Sequence, residues 1–185
     1  MRTALTIVAI TVVTTLGAPG GAGQTAAPAT DRWAAVRFLI GTWYTTSEGQ
    51  AGSGTGTRQY RFVLRERYIE GRATATYPPQ EKNTKGEVHE DVGYISYDRA
   101  RKRLVFRQFH AEGFVNQYVA DEAPASGKVV FTSEAIENIP SGFRARETWI
   151  VQGPDAFEEV FEIAEPGKEF TVYSRTRLKR VSGAK

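Results

Sequence analysis

The chain contains no cysteine, so neither a disulfide nor a cysteine-ligated metal site contributes to its fold. Its only two histidines, His89 and His110, lie far apart in the sequence and do not have the spacing of a structural zinc site. The Gly-x-Ser-x-Gly turn of the serine hydrolases is also missing. These absences remove the most familiar nucleophile and zinc motifs, and the sequence predicts no catalytic residue.

Concentrated charge of one sign is missing as well. The chain has 24 basic and 21 acidic residues, interleaved along its length, for a formal net charge of +3. Because nucleic-acid-binding domains cluster their basic residues on one face, we expect no nucleic-acid partner. The densest basic group falls on the last predicted strand, where we interpret it as a solvated strand face: Arg175, Arg177, Lys179 and Arg180. On that strand, alternation assigns Phe170, Val172 and Leu178 to the core face.

The one long uncharged segment lies at the N terminus. Residues 4–16 are uncharged, follow a basic Arg2 and precede several small residues, which is typical of a secretory signal peptide cleaved near residues 22–24. A retained anchor is the alternative, although the segment is shorter than the roughly 20 apolar residues of a membrane span. We therefore predict a signal peptide over residues 1–23, a flexible tail over 24–30 and one folded domain over 31–182, located in the periplasm or secreted and not held at the membrane after cleavage.

No amphipathic helical period occurs after residue 55; short alternating segments separated by turn residues follow one another instead. Regular spacing of this kind predicts an all-β fold, a single antiparallel up-and-down barrel of about ten strands. A short N-terminal helical turn is predicted after Asp31, with Trp33, Val36 and Ile40 on one side. Residues 47–57 are glycine-rich and predict a flexible connection or a bulged strand edge. The predicted strands start with residues 42–44 and continue with 60–65, 68–77, 91–98, 104–110, 114–121, 129–135, 144–152, 157–163 and 170–181.

The segments on either side of residue 112 predict a β-hairpin. Ala111-Glu112-Gly113 fits a three-residue loop, a type I turn closed by glycine in the left-handed region. That turn pairs Gln108 with Asn116, and alternation then gives one face that combines aromatic rings with amides and a histidine. We expect this face to line the barrel and to contact a ligand. Its candidate ligand-binding residues are Phe106, Gln108, His110, Phe114, Asn116 and Tyr118.

Two interpretations of His110 are open. It is a candidate ligand of a transition metal or haem iron, or a proton shuttle. Alternatively it is a rim histidine, hydrogen-bonded to Asn116 or to a loop. Since a lone histidine is not a metal signature, we predict no metal site. His89 is assigned to a long solvated loop over residues 78–90.

Glu159 is the carboxylate that alternation places inside the barrel, between Phe157 and Phe161. A buried carboxylate needs a partner, because an unpaired charge away from water is costly. The sequence suggests Arg146 or Arg175 for this role.

Several motifs resemble one known family. Residues 38–43 (FLIGTW) begin an antiparallel meander as in calycins, and residues 52–56 (GSGTG) make the chain similar to nitrobindin-like and fatty-acid-binding-protein-like bacterial barrels. Residues 93–98 (GYISYD), 109–114 (FHAEGF) and 173–178 (YSRTRL) also resemble an exported branch of that group. The resemblance implies that Trp43 closes one end of the barrel. It also implies haem, held in nitrobindin-like proteins by a histidine near the C-terminal end; residues 170–178 contain none, so His110 would have to serve.

The fold favours a binding function over a catalytic one. We predict an exported barrel that binds a small, partly apolar molecule in its interior. Two alternatives are a haem protein with nitrobindin-like peroxynitrite or nitric-oxide chemistry, and a packed, non-catalytic interaction domain of the cell envelope. The sequence does not determine the oligomeric state.

Overall fold

The computed structural model of the protein describes residues 31–121 and 127–182. Ten antiparallel strands close into a barrel in which each strand pairs with its sequence neighbours and the first pairs with the last. The only helix in these two stretches is a 3₁₀ helix, Arg37–Leu39. The predicted all-β up-and-down barrel with a short N-terminal helical turn is thus confirmed. The strands are β1 (Gly41–Gly49), β2 (Gly52–Val63), β3 (Tyr68–Tyr77), β4 (Glu87–Asp98), β5 (Arg103–His110), β6 (Val115–Ala120), β7 (Lys128–Glu137), β8 (Arg144–Gly153), β9 (Ala156–Ala164) and β10 (Thr171–Arg180).

The predicted signal peptide and tail, residues 1–30, lie outside the described residues. Within the part of the chain that is described, no helix has the length and apolar character needed to cross a membrane.

The glycine-rich segment is part of the sheet and pairs in a continuous register, so neither the flexible connection nor the bulged strand edge predicted over residues 47–57 is found. It forms the end of β1, a tight turn and the first half of β2. Its glycines are needed for close approach: a Cβ on Gly56 would lie 2.0 Å from the Thr74 carbonyl oxygen, and one on Gly54 would lie 2.6 Å from the Tyr77 ring. Glycine here allows the sheet to bend tightly, as strand glycines often do at barrel corners.

The long loop before β4 is shorter than predicted. Strand β4 starts at Glu87, so His89 belongs to the sheet and not to a solvated loop. In the β4–β5 ladder Asp91 lies opposite His110, which places His89 diagonally across from His110. Because inward positions of β4 alternate, His89 faces the same side as Asp91 and Gly93.

One end of the barrel is closed by the N-terminal segment, which we call the closed end. Trp43 is buried there; its indole Nε1 donates a hydrogen bond of 2.7 Å to the Leu39 carbonyl oxygen, and its ring packs edge-on against Phe157 at 4.8 Å. Trp33, Val36 and Leu39 are all buried, a spacing of three that follows the 3₁₀ geometry. Leu39 therefore takes the place that was predicted for Ile40.

A β-bulge interrupts the alternation of β10. The register with β9 shifts between Val172 and Ser174, so Val172 is 44 % exposed, whereas the sequence assigned it to the core. Phe170 also lies outside the core. The guanidinium groups of Arg144 and Arg146 stack on its ring, at 4.8 and 4.3 Å from the centroid. Beyond the bulge the prediction is right: Leu178 is buried.

Candidate functional site at the open end of the barrel

The middle of the barrel is filled by aromatic side chains. The ring of Phe106 lies 5.7 Å from Tyr118, 5.8 Å from Phe131 and 5.7 Å from Trp149, and all four residues are buried. Tyr60 packs on Trp149 from the opposite wall. A ten-stranded barrel is wide enough to hold a small ligand, but here large side chains occupy that space.

A buried ion pair lies between the aromatic layer and the open end of the barrel. The Arg58 guanidinium makes a two-pronged contact with the Glu159 carboxylate, with Nη2 donating to Oε1 at 2.7 Å. The indole Nε1 of Trp149 donates to the same carboxylate at 3.0 Å. Glu159 does face inward as predicted, but its partner is Arg58. The suggested partners are on the outer surface: Arg146 pairs with Glu162, and Arg175 lies 3.6 Å from Glu158.

Two further carboxyl groups lie near this pair. Burial raises the pKa of the Glu147 carboxyl well above its usual value, and the negative charge of Glu159 raises it further. Burial also raises the pKa of Asp91, while the Arg58 guanidinium opposes that rise. Glu147 is thus protonated in the folded protein at pH values where an exposed glutamate is ionised.

The amide side chains of the β5–β6 hairpin are buried but only partly paired. Among the described residues, the side-chain oxygens Oε1 of Gln108 and Oδ1 of Asn116 have no hydrogen-bond partner. Gln108 borders a cavity of about 10 Å³, room for one water molecule, between Arg58 and Glu147. Buried oxygens without a partner are rare in folded proteins, so these two mark a place where a donor group would be stabilised.

The predicted hairpin register is confirmed. Gln108 pairs with Asn116, and Phe106 pairs with Tyr118. Gly113 has a φ of +91°, the left-handed conformation that the turn requires. The six candidate ligand-binding residues therefore share the inner face, but at different depths. Phe106, Gln108, Asn116 and Tyr118 are buried, whereas His110 and Phe114 are half-buried at the open end.

His110 is held by several contacts. Its ring stacks on Phe114 with 3.9 Å between ring centroids, and Asn116 Nδ2 donates to its Nε2 at 3.2 Å. Its Nδ1 lies 3.4 Å from Nε2 of His89, whose Nδ1 is 2.8 Å from Glu112 Oε1. Two neutral imidazoles, each with its proton on Nδ1, satisfy all of these contacts. Burial lowers the pKa of His110 from 6.5 to about 4, and the neighbouring His89 adds to this shift.

The pairing of the two histidines is the feature that sequence reasoning missed. His89, His110 and Glu112 bring one ligand atom each to within 4.8 Å of one another. The available signal was the alternation of β4, since His89 continues the inward series of Asp91 and Gly93. Beginning the predicted strand at residue 91 instead of at Glu87 concealed it.

The residues of the described interior do not fit a haem group. The aromatic layer and the Arg58–Glu159 pair fill the barrel between His110 and the closed end, and the cavity at Gln108 has room for only one water molecule. The Nε2 nitrogen of His110, which points toward the interior, is engaged by Asn116. The last strand offers no histidine.

Comparison with known proteins identifies the family. Residues 32–180 match the family described as the THAP4-like, heme-binding beta-barrel domain. The chain belongs to this family, which confirms the resemblance to nitrobindin-like barrels seen in the sequence.

Similar solved structures define the fold only. The crystal structure of Rv2717c from M. tuberculosis has 12% identity and a TM-score of 0.62, with 82% of this chain and 98% of that chain covered. A de novo designed fluorescence-activating β-barrel has 16% identity and a TM-score of 0.42, covering 80% and 97% of the two chains. The latter similarity is too weak to bear on function. No curated protein matches the sequence significantly.

The first prediction concerns the buried ion pair. Arg58→Met should lower the free energy of unfolding by about 3–5 kcal/mol, because it leaves Glu159 buried without its partner. The double variant Arg58→Met/Glu159→Leu should recover most of this loss. Urea denaturation of the variants measures both effects.

The matched control is the exposed pair of Arg101 and Glu134. Arg101→Met should cost at most about 1 kcal/mol, as exposed pairs usually do. Equal losses for Arg58→Met and Arg101→Met would contradict the assigned role of the interior pair.

The second prediction concerns Glu147, which faces Glu159, Asp91, Arg58 and Tyr118. Its pKa is raised on folding, so the stability it contributes is full below the unfolded pKa and is lost as the pH rises toward the folded pKa. Relative to Glu147→Gln, the wild type should therefore lose stability from pH 4.5 upward, by up to about 1.4 kcal/mol per pH unit. Urea denaturation between pH 4.5 and 7.5 measures the difference. A difference between the wild type and Glu147→Gln that does not change with pH would contradict the assignment.

Proposed function

We propose that the protein binds a small, partly apolar molecule with hydrogen-bond donors at the open end of its barrel. The predicted periplasmic or extracellular location is part of this proposal. The interior proper is filled, so we place the ligand not at the centre of the barrel but in a recess at the open end, between the Arg58–Glu159 pair and the half-buried residues His89, His110 and Phe114.

One observation carries the proposal: the inward-facing side chains change from buried to half-buried toward the open end. Phe106 and Tyr118 are shielded from solvent, but His89, His110 and Phe114 are partly exposed, although they continue the same inward rows. Solvent thus enters the barrel at this level. A concave, partly aromatic surface with a few polar groups is the usual form of a small-molecule site.

The side chains on the two sides of the recess differ in size. On β2 and β3 the inward positions are small, with Gly56, Ala73 and Ala75 all half-buried. On the opposite side Phe161 packs edge-on against Tyr173 at 5.7 Å. In this proposal a flat apolar group of the ligand packs between the small residues and the aromatic ones.

The base of the recess favours donors over acceptors. Gln108 Oε1 and Asn116 Oδ1 lack partners in the described part of the chain, and a donor of the ligand would satisfy them. Glu112 adds negative charge at the rim, and the charge of Arg58 is matched by Glu159. A ligand carboxylate would be repelled at this base.

The third prediction uses three flat fragments of equal size. Benzamidine and benzamide carry donors, and benzoate carries only acceptors. Saturation-transfer NMR of the EDTA-treated protein should show binding of the first two and none of benzoate. Gln108→Met should weaken benzamide about fivefold or more, because it removes the unpaired oxygen.

Gln117→Met is the control, because Gln117 lies on the same hairpin but faces outward, where it pairs with Arg107. It should bind the fragments like the wild type. Equal binding of benzoate and benzamide would refute the donor preference. Failure of all three fragments would favour the packed interaction domain instead.

Haem is the second candidate, favoured by the description of the family. The filled interior argues against it, so the fourth prediction is that ferric haem produces no saturable shift of its Soret band with the purified protein. His110→Ala is the companion variant. A saturable shift that this variant abolishes would make haem the ligand and His110 its axial residue.

A further inference from the structure

We propose that His89, His110 and Glu112 form a binding site for a divalent transition-metal ion such as Zn²⁺. The site lies at the open end, where β4 and the β5–β6 turn meet. It goes beyond the proposed organic ligand and does not depend on it, although His110 borders both.

The spacing of the ligand atoms fits a metal. His110 Nδ1 and His89 Nε2 are 3.4 Å apart, and one ligand atom from each of the three residues lies within 4.8 Å of the others. Ligand atoms that surround Zn²⁺ at about 2.0–2.1 Å are about 3.3 Å apart in a tetrahedron. The two histidine nitrogens already have this spacing, whereas Glu112 has to leave its contact with His89 Nδ1 and move closer to become the third ligand.

The three residues sit on ordered backbone. His89 and His110 belong to adjacent, paired strands, and Glu112 is in the three-residue turn that follows β5. Asn138 Nδ2 donates to the Gly113 carbonyl oxygen at 2.8 Å, which fixes this turn. Stacking on Phe114 holds the His110 ring. Prearranged ligands lower the entropic cost of capturing an ion.

Asn116, which contacts the ring nitrogen of His110 that does not face His89, can support metal coordination by His110. Asn116 contacts Nε2, so the Nδ1 nitrogen is the one that faces His89 and Glu112. Coordination through Nδ1 puts the ring proton on Nε2, and a half-turn of the Asn116 amide presents Oδ1 to that proton. Tyr118, 2.8 Å from the same amide, can then donate to Oδ1 as well. A hydrogen bond of this kind orients most metal-binding histidines.

The donor set selects the class of ion. Two imidazoles and one carboxylate suit Zn²⁺ and neighbouring transition metals, whereas Mg²⁺ and Ca²⁺ prefer oxygen ligands alone. The Asp91 carboxylate, 3.8 Å from His89 Nε2, adds favourable negative charge. With three protein ligands, the ion keeps an open position for water or another small ligand.

Hydrogen bonding alone is the competing explanation. The chain from Asn116 through His110 and His89 to Glu112 is complete without an ion. In that case a metal would have to displace the Nδ1 proton of His110 and break the contact between His89 Nδ1 and Glu112, and it would bind weakly or not at all. Titration distinguishes the two.

The experiment uses the untagged, EDTA-treated protein. Calorimetric titration with Zn²⁺ at pH 7.5 should show one ion per chain, and Co²⁺ should give the visible absorption of a tetrahedral site. His89→Gln and Glu112→Gln should each weaken Zn²⁺ binding about tenfold or more. Circular dichroism and a thermal melt confirm that each variant is folded.

Glu90→Gln is the matched control, since Glu90 is the exposed residue next to His89 on β4. It should bind Zn²⁺ like the wild type. No saturable Zn²⁺ binding, or binding that all three variants retain, would overturn the proposal. The fragment experiment is run without metal, so its outcome separates the failure of this site from the failure of the proposed ligand site.

Discussion

The interior of the barrel is organised around the ion pair between Arg58 and Glu159. These residues lie on β2 and β9, which are separated in the sheet by β1 and β10, so their contact crosses the barrel interior. Two charges removed from water are tolerated only with good geometry and additional hydrogen bonds. The two-pronged contact and the Trp149 indole supply both, and they do so only when the barrel is closed.

This layer divides the barrel into two halves with different roles. On one side the aromatic layer and Trp43 produce a dry, packed core, which accounts for stability. On the other, partly exposed polar groups such as His110 and His89 meet solvent. Glu147 is a further buried carboxyl group next to the pair. Burial raises its pKa, so it is accommodated in the protonated, uncharged form. Both sites proposed for this protein therefore lie on the solvent-facing side.

Family membership and site chemistry separate clearly in this protein. The fold follows its family over residues 32–180, yet the last strand has no histidine and the space beneath His110 is filled. Function resides in particular residues placed on a fold, and here the described interior does not fit the haem that the family description names. The paired histidines at the open end are the local chemistry on which a functional hypothesis can rest.

The sequence by itself determined the features that depend on local geometry. Alternation specified the all-β barrel, and Gly113 in its turn specified the register that aligns Gln108 with Asn116. Closure of the barrel decided the rest, because it brings together residues that are remote in the chain. Arg58 meets Glu159, 101 residues away, a contact that no local period can indicate. The pairing of His89 with His110 likewise depends on β4 being long enough to include His89. Val172 points outward because of a bulge, which sheet curvature imposes and which alternation does not reveal.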